Sequence, residues 1–532
     1  MFNILHTIKL SKQELKLWLY IFMALCLAYL PLLFNFIWGN HDWLPLLKDN
    51  HLSSGFIEGR ISQYLLNCLL LMGKMLPILN TLLGFTFYGI ALVLLTTRFF
   101  TFPVTKNTYL FLPTVAILPY ITDIIYFQFI VLSQLSWPFV VTLALLAGKK
   151  ATHTSHFIIF TTLCTLLLFI AISGYPASVN LFVTASCLYL ILQYDTNANF
   201  KELTKQALPF IISFIISFTV LYGVHAWLLK NNMMMNMYNN QTVKIQDLFL
   251  KIFPTIKLSL ISLLQPQPFF NLTYKLTSSA ILLIFFIVLL KNKKEKNALF
   301  LTAVLLLILL LCLKFSAWLT NETPDNYFAK YDPAAFMVRT DFYAIPLTLL
   351  FALSYTTATN NLYKNIVTFL SAILLLGSLN ADLTFSKTHL LGFKAEALLQ
   401  QRINNRIQEM PAYNRYSYYT ITQAGEIPLR KRYYQPTIGE KYGYYTLETP
   451  YTRYWITFEY YNFYEPYNFV REGTTINPQD ISPEMINFLT QKIKSWPSPD
   501  SLYVDDIHGI IALTPQGKNM LTSQFKQLGT GR

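Results

Sequence analysis

The segment LWLYIFMALCLAYLPLLFNFIWGNHDWLPLLKDNHLSSGFIEGR, residues 17–60, decides the fold. Residues 17–38 carry no charged side chain. That run matches the roughly 20 apolar residues needed to cross the hydrocarbon core of a bilayer. The chain then presents His41, Asp42, Asp49, His51, Glu58 and Arg60 at once. A connector between two spans needs only a few polar residues. So many ionisable groups at a membrane edge mark a functional candidate.

The rest of the sequence supports the membrane reading. Of 532 residues, 54% are hydrophobic and 13% charged, with a mean hydropathy of +0.39. Soluble domains carry about 25% charged residues. The pattern gives about eleven spans, each of roughly 20 residues. They fall near 17–38, 76–97, 106–122, 125–147, 156–174, 176–193, 207–229, 276–291, 297–319, 340–358 and 362–380. The first run is too long for the apolar part of a cleavable signal peptide, so it reads as a retained span. Residues 61–75 read as an amphipathic helix lying along the interface. All five cysteines lie in or beside apolar runs, with no metal-type spacing.

The net charge of +14 follows topology, and nucleic acid is not needed to explain it. Lys9, Lys12 and Lys16 precede the first span. Alternate connections then carry Arg98 with Lys106, Lys149 with Lys150, Lys201 with Lys205, the cluster Lys291, Lys293, Lys294 and Lys296, and Lys364. Basic loops face the cytoplasm. The N-terminus is therefore expected inside. Residues 39–60, 230–275, 320–339 and everything after about 380 are expected outside.

Composition changes after Ala381. Residues 413–470 are crowded with Tyr and read as half-buried strands. SPEMINFLTQKIKSW reads as a helix with Ser482 as N-cap and Pro483 in first position. SLYV and GIIAL, joined by DDIH, read as a hairpin. The expected architecture is an α-helical polytopic membrane domain, residues 1–380, followed by an extracytoplasmic α+β domain, residues 381–532.

A second outer loop carries chemistry. NETPDNYFAKYDPAAFMVRTDFYA, residues 321–344, holds Glu322, Asp325, Lys330, Asp332, Arg339 and Asp341. An arginine at the start of a span grips phosphate in two-pronged fashion at head-group depth. Two polar loops on one side, beside an outer domain, fit an amphiphilic substrate, one loop supplying carboxylate and the other cation. The bland reading is a loop tethered by an Arg339–Asp341 or Arg339–Asp332 pair.

The segment NHDW (40–43), SSGFIEGRISQYLL (53–66) and SGYPASVNLFV (173–183) resemble the glucosyltransferase-II-like polytopic proteins of the GT-C superfamily of membrane glycosyltransferases. The resemblance implies a sugar donor, glucose, carried on polyprenyl phosphate. It also implies a surface-glycan acceptor such as O-antigen, inversion at the anomeric carbon, and a bacterial inner membrane. Members show an acidic pair or an Asp-containing motif in the first outer loop. Here His41–Asp42 stands instead of two carboxylates, so Asp42 alone carries over. Asp42 is then the candidate general base, with His41 as its hydrogen-bond partner and Glu58 as a second base or sugar-hydroxyl partner. Arg60, Lys330 and Arg339 are the candidates for the phosphate. A divalent metal, magnesium or manganese, between Asp42 and Glu58 is an open alternative with a weak donor set. Two other classes remain open: a transporter or flippase of lipid-linked saccharides, and a membrane-anchored glycan-assembly protein. The few ionisable residues in the spans, and the absence of an inverted repeat of broken helices, weigh against the transporter.

The orientation has a direct test. A C-terminal alkaline phosphatase fusion is expected to be active, and a C-terminal fluorescent protein that matures only in the cytoplasm is expected to stay dark. The opposite pair of results would remove Asp42 from the outer face.

Overall fold

The structure is a computed structural model that describes residues 9–35, 60–71, 77–125, 131–152, 155–194, 200–233, 245–264, 272–291, 296–315, 333–413, 419–424, 467–469, 481–506 and 508–530. The chain divides between Phe385 and Ser386 into two compact units.

The first unit is helical. Hydrocarbon offers no hydrogen bonds, so a spanning segment must satisfy its own backbone, and helices do this. Among the described residues, eight helices are long and apolar enough to cross: 78–99, 131–152, 157–174, 176–193, 202–230, 272–291, 342–359 and 361–384. Two of the eleven expected spans fall on shorter described helices, for local reasons, and the ninth falls on an 18-residue helix. The first, Lys12–Ala28, stops where Tyr29 leaves helical geometry, and a five-residue helix restarts with Pro31 in its first turn. The third breaks into Thr108–Ala116, a 3-10 turn Pro119–Ile121 and Thr122–Ile125. Pro113 and Pro119 remove backbone donors there. The ninth is Lys296–Leu313.

The helix Ile61–Leu71 exposes Leu65 (49%) and Leu69 (80%), one turn apart on one face, while burying Ser62 and Gln63. One other expectation changes: the stretch 230–275, read as an outer loop, contains the helices Ile245–Leu250 and Ile252–Leu264.

At the end that the basic residues assign to the cytoplasm, an ion pair ties three helices. Ser11 and Glu14 form a reciprocal capping box at the start of Lys12–Ala28. Arg98, on a π-helical turn ending the second span, donates from Nε to Glu14 Oε1 (2.8 Å) and from a terminal nitrogen to Oε2 (2.7 Å). Thr97 adds a third donor to Glu14 at 2.9 Å. Lys149, from Val131–Thr152, donates Nζ to the carbonyls of Arg98 (2.9 Å) and Phe99 (2.6 Å), so the last carbonyls of the turn are satisfied.

The second unit begins within a helix. Asn361–Gln408 runs unbroken for 48 residues and does not stop near 380, as the change of composition implied. Its Ile403 and Ile407 pack with Leu502, Val504, Ile511 and Leu513. Four strands, β1 (Tyr419–Ala424), β2 (Tyr467–Phe469), β3 (Leu502–Val504) and β4 (His508–Ala512), form a sheet ordered β2-β1-β4-β3. β3 and β4 pair antiparallel with Tyr503 opposite Ile510, and β1 runs parallel to both β2 and β4. Ser482 caps Pro483–Asn487 by accepting from the Met485 amide. Met485, Leu489, Leu521 and Phe525 cover Ala424 and Ile510. Most of the tyrosine-rich stretch 413–470 lies outside the described residues.

The inner ion pair gives a pH-dependent prediction. Hydrogen bonding to Arg98 holds the Glu14 carboxyl at about 2, against the opposing effect of burial, compared with an ordinary value of 4.5. A depressed carboxyl stabilises the fold fully above its unfolded pKa and loses that contribution as pH falls through its folded one. Glu14→Gln is expected to cost about 2–3 kcal/mol at neutral pH. It should lower the apparent Tm of the detergent-solubilised protein. The gap to the native protein should narrow as pH falls from about 4.5 towards about 2. A gap independent of pH would mean that the pair contributes only through packing.

Candidate functional site

Several helix ends meet at the side that the Lys/Arg pattern assigns to the outside. They are the start of Ile61–Leu71, the start of Val131–Thr152, the end of Phe157–Gly174, the 3-10 turn Pro176–Ser178, and Pro333–Thr359. Tyr175 is extended because a residue preceding proline is pushed out of helical geometry. Its amide still donates to the Ala171 carbonyl at 3.0 Å, so the helix ends cleanly and the ring turns aside. The Arg60 guanidinium lies over that ring, 5.5 Å from its centroid. This is within the range of a cation–π contact. Behind it, the Tyr175 and Tyr343 rings are 5.9 Å apart, and the Tyr343 hydroxyl donates to the Gln134 carbonyl at 3.1 Å.

Two further contacts fix this arrangement. The Ser62 and Ser173 hydroxyls are 2.6 Å apart, which ties the helix starting after Arg60 to the helix ending before Tyr175. Gly174 lies directly against the Trp137 indole, where a Cβ would come within 2.1 Å of a ring carbon. Only glycine permits that approach.

Of the residues singled out from sequence, Arg60 is placed in this cluster. Arg339 sits on Pro333–Thr359 four residues before Tyr343, one turn earlier on the same helical face. His41, Asp42, Glu58 and Lys330 lie outside the described residues. Among the described residues, no group of three His, Cys, Asp or Glu is arranged to hold a metal ion.

Sequence reasoning missed several polar residues. Asp382 is 1% exposed at the end of the last span, with buried Ser378 and Ser386 four residues to either side. Asp382 and Glu14 are the two buried carboxylates among the described residues. Lys251 and Lys314 are buried too, and Thr255 and Ser259 continue the Lys251 face. The available signal was a polar residue every fourth position on an apolar helix. Ending the last span at 380 hid it for Asp382, and reading 230–275 as loop hid it for Lys251.

A family model described as Glucosyl transferase GtrII matches residues 30–339, more than half of the chain. No curated protein matches the chain. Among solved structures, the chain is similar to an archaeal oligosaccharyltransferase, AglB from Archaeoglobus fulgidus, in complex with an inhibitory peptide and a dolichol-phosphate. The identity is 12% and the TM-score 0.37, over 90% of this chain and 67% of that one.

The Gly174 contact is testable. Gly174→Ala forces the Trp137 indole to move, and overpacking of this kind costs about 1–3 kcal/mol. The expected result is a lower apparent Tm, partly restored by adding Trp137→Phe, which gives the methyl group room. No loss in the single variant would mean that the two helices separate easily at this end.

Proposed function

This chain belongs to the glucosyl transferase GtrII family of membrane glycosyltransferases, and we propose that it transfers glucose from a polyprenyl-phosphate donor to a cell-surface glycan such as O-antigen, at the outer face of a bacterial inner membrane. The observation that carries the proposal is the outer cluster. Arg60 is stacked on Tyr175, Tyr175 lies against Tyr343, and Arg339 lies one turn from Tyr343 on the same helix. Two guanidinium-bearing positions at head-group depth suit a phosphate whose lipid tail stays in the bilayer.

In this reading the fold is of GT-C type and the reaction inverts the anomeric carbon. The acceptor hydroxyl oxygen attacks that carbon. The bond from the carbon to the phosphate oxygen breaks, and polyprenyl phosphate departs with the electron pair. Asp42 takes the hydroxyl proton, with His41 as its hydrogen-bond partner and Glu58 on a sugar hydroxyl. Arg60, Arg339 and Lys330 stabilise the charge that develops on the leaving phosphate. If a magnesium or manganese ion is used, Asp42 and Glu58 are the residues that would hold it, with water and the donor phosphate completing its shell, and it would supply positive charge at the leaving phosphate.

Asp382, a buried carboxylate at the end of the last span, is a second candidate for the base.

Mass spectrometry of the surface glycan separates the readings. Expression of the chain is expected to add one hexose per acceptor unit, whereas loss of all polymer on its removal would indicate a flippase. Asp42→Asn should abolish the increment while Asp49→Asn keeps it. Retention in Asp42→Asn with loss in Asp382→Asn would move the base to Asp382. Arg60→Lys and Arg339→Lys keep the charge but lose the planar fork. Each is expected to lower transfer about ten- to a hundredfold, the equivalent of a charged hydrogen bond. Full activity in both would leave these arginines a topological role only.

A further inference from the structure

Buried polar atoms in folded proteins are almost always hydrogen-bonded, so each exception asks for an explanation. Three of these exceptions lie on the elements that meet beside Arg60. Gln63 Oε1, Trp137 Nε1 and Ser178 Oγ are buried without a hydrogen-bond partner. The three residues are 3%, 1% and 0% exposed. Their positions are linked through the contacts already described. Gln63 follows Ser62, whose hydroxyl meets that of Ser173 at 2.6 Å. Trp137 lies against Gly174, the next residue. The Ser178 amide donates to the Tyr175 carbonyl at 3.0 Å, and Tyr175 carries Arg60 on its ring.

The chemistry of the three atoms selects what would satisfy them. The Gln63 oxygen only accepts, the Trp137 indole nitrogen only donates, and the Ser178 hydroxyl does both. An anion would be repelled by the Gln63 oxygen. A cation would be repelled by the indole N–H. A lipid tail would satisfy none of the three. A neutral polyol, whose hydroxyls each donate and accept, satisfies all of them.

We propose that Gln63, Trp137 and Ser178 form the subsite for the donor's sugar ring, next to the phosphate position at Arg60, and that they decide which hexose is accepted. The proposal rests on the reading of Arg60 as a phosphate ligand. A site built to hydrogen-bond a substrate hydroxyl discriminates strongly against an isomer that misplaces it, because its own buried groups are then left unpaired.

The test uses the full chain in membrane vesicles with synthetic polyprenyl-phosphate glucose and its galactose epimer, together with polyprenyl phosphate lacking a sugar. The variants are Gln63→Leu, Trp137→Phe and Ser178→Ala, compared with the native protein in apparent Tm. Each is expected to lower kcat/KM for the glucose donor about tenfold and to narrow the glucose-to-galactose ratio. Binding of bare polyprenyl phosphate should stay unchanged. Ser178→Ala removes a single oxygen and serves if the larger changes disturb folding. Native kcat/KM and an unchanged epimer ratio would overturn the subsite and leave these atoms to buried water. Loss of bare polyprenyl-phosphate binding in step with activity would also overturn it, by making the effect one on the phosphate position. Arg60→Lys reads the phosphate assignment separately. If it leaves bare-lipid binding intact, that assignment fails, while the epimer ratio still decides the subsite.

Discussion

The membrane unit is governed by a solvent that makes no hydrogen bonds. Every polar atom in it must find its partner within the protein. Most hydroxyls in the spans do so in the shortest way, by donating to the carbonyl one turn back. Thr86 bonds Leu82 at 2.9 Å, Thr96 bonds Leu92 at 2.8 Å, Ser136 bonds Leu132 at 2.6 Å, Thr142 bonds Pro138 at 2.6 Å and Thr348 bonds Ala344 at 2.9 Å. These side chains cost the bilayer nothing and indicate no function. Against that background, polar atoms that reach across helices, or reach nothing, carry information.

The two ends of the helices use such atoms differently. At one end Arg98 spends its donors on the Glu14 carboxylate and the Lys9 carbonyl, and Lys149 closes two backbone carbonyls. Charge there is matched, and the result is a clamp. At the opposite end the contact described for Arg60 is with the face of Tyr175. A face contact fixes the plane of the guanidinium.

Much of this was legible in sequence, for physical reasons that can be named. Long apolar runs need no tertiary context to be recognised. The hairpin of β3 and β4 follows from two short apolar runs around a polar turn, and the Ser482 cap from the Ser–Pro pair. Proline shortened the first and third expected spans, which hydropathy does not register. The parallel pairing of β1 with β4 joins segments more than 80 residues apart, as Thr420 opposite His508 shows, and no local pattern encodes it. Arg60 was visible as a charge beside an apolar run. Gln63, Trp137 and Ser178 were not, because a lone polar residue within such a run looks the same whether it bonds its own helix or faces a cavity. Only the fold separates these cases.

The opening segment can now be placed by its flanks. On one side the chain leaves the helix Lys12–Ala28, which is clamped at its start through Glu14. On the other, Arg60 rests on Tyr175, and Ser62 is tied to Ser173. Whatever conformation residues 39–59 adopt, the loop begins and ends on helices held by specific contacts. Anchoring both ends removes much of the entropy a free segment would keep. Arg60 is moreover the residue at which the loop re-enters the helical unit, only two positions after Glu58. In the function proposed above, a cation fixed there would hold the nearby carboxylate within a few residues of the same substrate, which would account for the density of ionisable groups from His41 to Arg60.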